Sequence, residues 1–237
     1  MKKVIALIAT IILMVVCFVG MAMLCGLLVE KALLPSEYLF YESTPLASHL
    51  LAPLLIIPAF VVSYLVFYWL NKKITSTKND FLHYVSIIKA LGKLNFVIIA
   101  AWGIAMYLSL TSFTCVTENK IIVVSPFNLK GQVYNYSDVE QINAGFGNKK
   151  IALYEYKSEG SFYYKVTLDG KEYVFHSPTV NSEIDRYNDT YLELEEFDRA
   201  LCELNVPKNS SRKGYEKCDF DQEYVDRFLR IIERNGK

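Results

Sequence analysis

The chain has 237 residues, 52% of them hydrophobic, and its 25 Lys+Arg are matched by 25 Asp+Glu. A mean hydropathy of +0.21 is too apolar for an ordinary soluble domain. The charge is unevenly spread: residues 114–237 hold 17 Lys+Arg against 21 Asp+Glu, and a net acidic segment is a poor binder of nucleic acid or anionic headgroups.

The apolar surplus lies in three runs. Val4 to Val29 carries no charge, and its 26 residues would measure about 39 Å as a helix against a hydrocarbon core of about 30 Å. The run exceeds the roughly 7 to 15 residues of a signal-peptide core, so it reads as an uncleaved span. Further charge-free runs occupy Ser43–Leu70 and Leu94–Thr117. Three transmembrane helices are predicted, at about 4–29, 46–70 and 94–113, within a membrane domain of residues 1–113. Pro53 and Pro58 can kink the second and free backbone carbonyls that neighbours or water must satisfy.

Orientation follows from the basic residues. The segment between the second and third spans carries Lys72, Lys73, Lys78, Lys89 and Lys93 against Asp80, whereas Glu30 to Pro45 carries Lys31 against Glu30, Glu37 and Glu42. The lysine-rich loop and the amino terminus are therefore expected in the cytoplasm, and everything after residue 113 outside it. This describes a multi-pass protein of the plasma membrane. Residues 80–92 read as an amphipathic cytoplasmic segment, with Phe81, Tyr84, Ile87, Ile88 and Leu91 on one face and Lys89 and Lys93 meeting lipid headgroups.

Past residue 113 strand signals follow closely. Seven strands are predicted, at Phe113–Glu118, Ile121–Ser125, Gln132–Tyr136, Val139–Phe146, Ile151–Tyr156, Phe162–Leu168 and Glu172–His176. The clearest signal is Asp169-Gly170, the preferred pair of a type I′ hairpin. It sets Leu168 opposite Lys171, Val166 opposite Tyr173 and Tyr164 opposite Phe175, with Phe162, Tyr164, Val166, Leu168, Tyr173 and Phe175 on one face. A helix over 190–205 follows: Thr190 with Glu193 makes a capping box, Leu194, Phe197, Leu201 and Leu204 an apolar face, and Pro207 the stop.

Three phrases, Val116-Thr117-Glu118-Asn119-Lys120-Ile121, Tyr136-Ser137-Asp138-Val139-Glu140-Gln141-Ile142 and Leu168-Asp169-Gly170-Lys171, precede that helix. With seven strands and one capping helix, residues 113–205 resemble the bacterial pleckstrin-homology-like (PH-like) domains found behind transmembrane helices in small envelope proteins. The fold class expected is thus an α+β membrane protein: three transmembrane helices, then an antiparallel seven-stranded PH-like sheet or barrel over 114–206, then 207–237 as a linker and second helix. The resemblance implies a binding module with no catalytic content, and the acid excess makes a protein or peptide the expected ligand.

In the tail, Asp219, Asp221, Glu223 and Asp226 crowd the start of the second helix and Arg227, Arg230 and Arg234 its end, as the helix dipole favours. Its apolar face can pack on the β domain or carry self-association through Phe220, Tyr224, Phe228 and Ile231. No metal-ligand spacing, phosphate loop or nucleophile motif occurs, so no catalytic, cofactor-binding or metal-binding residue and no cofactor is expected. Cys202 and Cys218 are candidates for a disulfide. The reading is a membrane-anchored binding or scaffold protein, an accessory or regulatory envelope component rather than an enzyme. Bacteriocin immunity or transporter assistance are alternatives, as is a membrane-embedded enzyme using His49 or His176.

Overall fold

The computed structural model describes residues 2–75, 93–151, 154–176, 178–181 and 189–234; the predicted segment 80–92, with His83, lies outside them. Five α-helices and nine strands occur among the described residues: α1 (Lys2–Ala32), β1 (Tyr38–Ser43), α2 (Pro45–Thr75), α3 (Lys93–Leu110), β2 (Phe113–Thr117), β3 (Lys120–Ser125), β4 (Asn128–Asn135), β5 (Val139–Ile151), β6 (Tyr154–Leu168), β7 (Lys171–Phe175), β8 (Thr179–Val180), α4 (Thr190–Glu203), β9 (Lys208–Ser211) and α5 (Gln222–Glu233). They form two units. One comprises Met1–Ala32 with Leu50–Leu110, the other Leu33–His49 with Thr111–Lys237.

In the helical unit, α1 and α2 are long and apolar enough to cross a membrane. A helix apolar all round belongs in a protein core or in lipid, and only 6% of the apolar window of α1 and 17% of that of α2 is buried within this chain. The third predicted span is shorter than expected: its apolar helical stretch is Phe96–Leu110, because Phe113 opens β2. Pro58 removes the N–H that would bond the Leu54 carbonyl four residues back, and the indole Nε1 of Trp102 in α3 donates to that carbonyl at 2.9 Å. The proline's cost to α2 is thereby offset by a side chain of α3.

The other unit holds two sheets, ordered β4-β3-β2-β1-β8 and β7-β6-β5-β9. The predicted hairpin forms as read: Asp169 and Gly170 have φ of 51° and 69°, and Leu168, Val166 and Tyr164 oppose Lys171, Tyr173 and Phe175. Phe162, Tyr164, Val166, Leu168 and Phe175 are buried, and Tyr173 packs half-buried against them.

The seven-strand meander needs correction in three places. First, β1, lying between two apolar helices, sits between β2 and β8, with Tyr41 opposite Cys115 and Phe40 opposite Val180. Phe40 is fully buried, edge-to-face with Phe175 at 5.5 Å and Phe197 at 5.7 Å. Residues 33–49 therefore belong to the β unit and not to the membrane segment 1–113. Second, residues 154–156 of the strand predicted at 151–156 and the whole of that predicted at 162–168 are one strand, β6, paired along β5 from Val139↔Leu168 to Ile151↔Tyr154; Ile151 ends β5, and residues 152–153 lie outside the described ones. Gly160 signals a close approach rather than a loop there, since a Cβ at that position would collide with the Lys217 carbonyl. Third, the predicted linker after Pro207 begins with β9, parallel to β5, and the Ile142 N–H donates to the Pro207 carbonyl at 2.8 Å.

α4 lies over the aromatic core through Leu194, Phe197 and Leu201. Its N-cap is Asp189 rather than Thr190: Asp189 Oδ1 accepts from the Tyr191 and Leu192 N–H groups, and Oδ2 takes Arg227 at 2.6 Å. Leu204 is exposed beyond the helix end. α5 packs on the same unit, with Phe228, Ile231 and Ile232 in the core and Phe228 stacked on Phe162 at 4.1 Å.

Charge joins α4 to β9 and α5. The buried carboxylate of Asp198 accepts from Tyr164 Oη at 3.0 Å, Lys208 Nζ at 2.5 Å and Arg234 at 3.0 Å. Lys208 Nζ also donates to the Ile231 carbonyl, and Ser210 Oγ to that of Ile232, two of the carbonyls an α5 end leaves without intrahelical donors. The alternating Lys208 and Ser210 explain why a polar tetrapeptide is a strand and not a linker. Burial pushes the Asp198 carboxyl up, and Lys208, Tyr164 and Arg234 oppose that push. For Glu195 the burial that would raise it is outweighed by Arg230 and Arg234, which hold its carboxyl below the usual range.

Candidate functional site

An open cleft of about 300 Å³ lies in the β unit, lined by Leu39, Glu118, Asn119, Tyr136, Glu196, Phe197 and Ala200. Four elements supply it. Leu39 comes from β1, Glu118 and Asn119 from the β2–β3 turn, Tyr136 from the 3₁₀ turn after β4, and the remainder from α4. Its floor is apolar, with Leu39, Tyr136 and Phe197 all buried and the two rings edge-to-face at 5.1 Å.

Local bonds hold the walls. The Tyr136 hydroxyl donates to the Thr117 carbonyl at 2.5 Å, tying the 3₁₀ turn to the end of β2. Asp138 Oδ2 accepts from the Asn135 N–H at 2.7 Å, which closes that turn, and Thr117 Oγ1 accepts from the Lys120 N–H at 3.2 Å across the β2–β3 turn. Burial, then the negative fields of Glu118 and Glu193, push the Tyr136 phenol up, so it stays a neutral donor. At the rim stand two carboxylates, Glu118 and Glu196, the second paired with Arg199 at 2.9 Å one helical turn on.

The whole unit is acidic. With residues 33–49 counted in, it holds 17 Lys+Arg against 23 Asp+Glu, because β1 and its approach add Glu37 and Glu42. An aromatic floor under a carboxylate rim suits a cationic side chain with an apolar stem, as Arg and Lys have. None of the lining residues is a His, Cys or Ser.

The sequence-level candidates fall elsewhere. His176 sits past β7, its backbone N–H donating to Glu42 Oε2 at 2.7 Å and its ring Nδ1 lying 3.3 Å from the Phe162 carbonyl oxygen. His49 is half-buried in the second turn of α2. Cys202 and Cys218 are free thiols, as are the other three cysteines, and burial pushes Cys115 up to about 12. Of the proposed association residues, Phe228 and Ile231 are fully buried in the unit's own core, while Phe220 is 44% exposed. Leu39 and Phe197 were not legible as site residues, because the cleft exists only where β1 and α4 converge; the aromatic run Tyr38-Leu39-Phe40-Tyr41 was the available signal.

Comparison of the chain with family models, curated proteins and solved structures finds no match.

Proposed function

We propose that the chain is a three-span membrane protein whose β unit is a PH-like binding module, taking a basic segment of a protein partner into the acidic cleft. The observation that carries this reading is the cleft, with Glu118 and Glu196 over Tyr136 and Phe197 on an acidic unit.

Three crossings are supported by parity. β1 and β2 are paired neighbours, so the chain between them crosses a membrane an even number of times. If α2 crosses, residues 93–112 return. The Thr44 N–H donates to the Ser112 carbonyl at 2.9 Å, which ties the two ends together. Leu54 lies nine residues into α2 and Trp102 eight before the end of α3, each about 13 Å along at 1.5 Å per residue, and the two are bonded. An antiparallel pair of spans has this geometry. The lysine-rich segment 71–93 supports a cytoplasmic loop and an extracytoplasmic β unit.

The PH-like reading gains from β1. With it counted and β6 taken as one strand, β1 to β7 and α4 restore seven strands and a capping helix, interrupted by α2 and α3 after the first strand. Pull-down with the detergent-extracted full chain tests the function. A stoichiometric partner lost with Glu118→Lys plus Glu196→Lys, and kept with Phe220→Ala, is the expected result; recovery of no partner, or retention by the charge-reversed chain, overturns it.

A further inference from the structure

Phe127 is 98% exposed at the tip of the β3–β4 hairpin, in a unit that buries most of its phenylalanines. The tip is the two-residue connection Pro126-Phe127 between the paired residues Ser125 and Asn128. Leu129, next along β4, is 43% exposed, and Lys130 is exposed beside it.

The register places this tip at one end of the five-stranded sheet. Phe113 opposes Ser43 on one side and Val124 on the other, so Ser43, Phe113 and Val124 mark the same level across β1, β2 and β3. At that level the chain leaves the sheet for α2 at Pro45 and arrives from α3 at Leu110. Phe127 stands beyond it, by about 3 to 7 Å at roughly 3.3 Å per residue. The β2–β3 turn with Glu118 and Asn119 is at the opposite end, where Thr117 opposes Tyr38.

We infer that the β3–β4 tip dips into the lipid interface of the bilayer that holds α2 and α3, Phe127 and Leu129 entering the acyl boundary and Lys130 meeting headgroups. The inference rests on the membrane-spanning reading above. Its ground is continuity: the exposed aromatic tip is at the end of the sheet that the apolar helices enter and leave, and exposed Phe and Leu side chains beside a Lys suit the boundary between acyl chains and headgroups.

Photo-reactive benzoylphenylalanine placed singly at Phe127, Ile104 or Glu118 of the full native chain, in phosphatidylcholine vesicles, tests this by mass spectrometry of the irradiated protein. All three positions are exposed, so the label does not disturb packing. Lipid adducts at 127 and 104, at ten or more times the yield at 118, are expected. Adducts at 104 without adducts at 127 overturn the hairpin's insertion and leave the spans standing; adducts at neither overturn both. Cross-linking of 127 to a second copy of the chain in place of lipid also overturns the insertion.

Discussion

Two kinds of contact meet on α4. Leu194, Phe197 and Leu201 enter an aromatic core that takes Phe40 from β1 and Phe175 from β7. Glu195 and Asp198 enter a charged seam with Lys208 of β9 and with Arg230 and Arg234 at the end of α5. The core joins strands from distant parts of the chain by non-directional burial, which involves no titrating charge. The seam joins the carboxy-terminal helix by groups that need every partner in place. Loss of either is therefore expected to look different in solution.

The largest effects come from emptying each region. Phe40→Ala leaves a cavity among Phe175, Phe197 and their neighbours, with an expected loss of about 3–5 kcal/mol in thermal unfolding of the detergent-solubilised chain. Asp198→Ala strands Lys208, whose side chain is 1% exposed, and should cost a similar ~3–5 kcal/mol. What separates them is rescue. Asp198→Leu with Lys208→Met should recover part of the seam's loss, since apolar volume replaces the buried pair while the Tyr164 hydroxyl and Arg234 lose their Asp198 acceptor; a double variant as unstable as Asp198→Ala would mean the charges themselves are required.

A middle-sized effect is expected from pH. Glu195 and Asp189 are held below the usual carboxylate range, in both cases against burial, by Arg230 and Arg234 for the first and by Arg227 and backbone N–H groups for the second. Their contribution is present above the unfolded values, near 4, and is lost as the pH falls through the folded ones. Asp198, raised by burial, has the opposite sign: its contribution is full below the unfolded value and lost as the pH rises through the folded one. Stability followed by circular dichroism should accordingly rise slightly on mild acidification and then fall below about pH 4. In Asp198→Leu/Lys208→Met the initial rise should vanish while the later fall remains.

Legibility followed the range of the determinants. The β6–β7 register was written in two adjacent residues, Asp169-Gly170, and in the alternation around them, and it forms as read. β1 carries Tyr38 to Tyr41, a strand-like run, but its partners are Phe113–Thr117 and Thr179–Val180, with α2 and α3 between. The run signals a strand, but nothing local says what it pairs with. β9 reads as linker because its value lies in Lys208 and Ser210 reaching carbonyls of a helix that comes later. The cleft shares this fate: Glu118 and Tyr136 are legible only as the last residues of two predicted strands, and only the meeting of β1 with α4 makes them a site.

Smaller effects sharpen the contrast. Trp102→Phe removes the donor to the Leu54 carbonyl and should cost about 1–2 kcal/mol of helical-unit stability, without changing the pH profile. Lys165→Ala should cost no more than about 0.5 kcal/mol, since its pairing with Glu172 is largely solvated. A value near that of Asp198→Ala would erase the distinction between surface pairs and the seam.

The most direct test concerns β1, because the β unit is assembled from chain on both sides of the α2–α3 pair. Single substitutions Glu37→Cys, Asn119→Cys and Ser76→Cys, in a Cys218→Ser background, can be labelled on intact cells with a membrane-impermeant maleimide. Residues 37 and 119 are expected to label alike, and residue 76 oppositely. Labelling of 37 and 119 from opposite faces of the membrane would contradict the shared sheet, and with it the cleft that β1 helps to build.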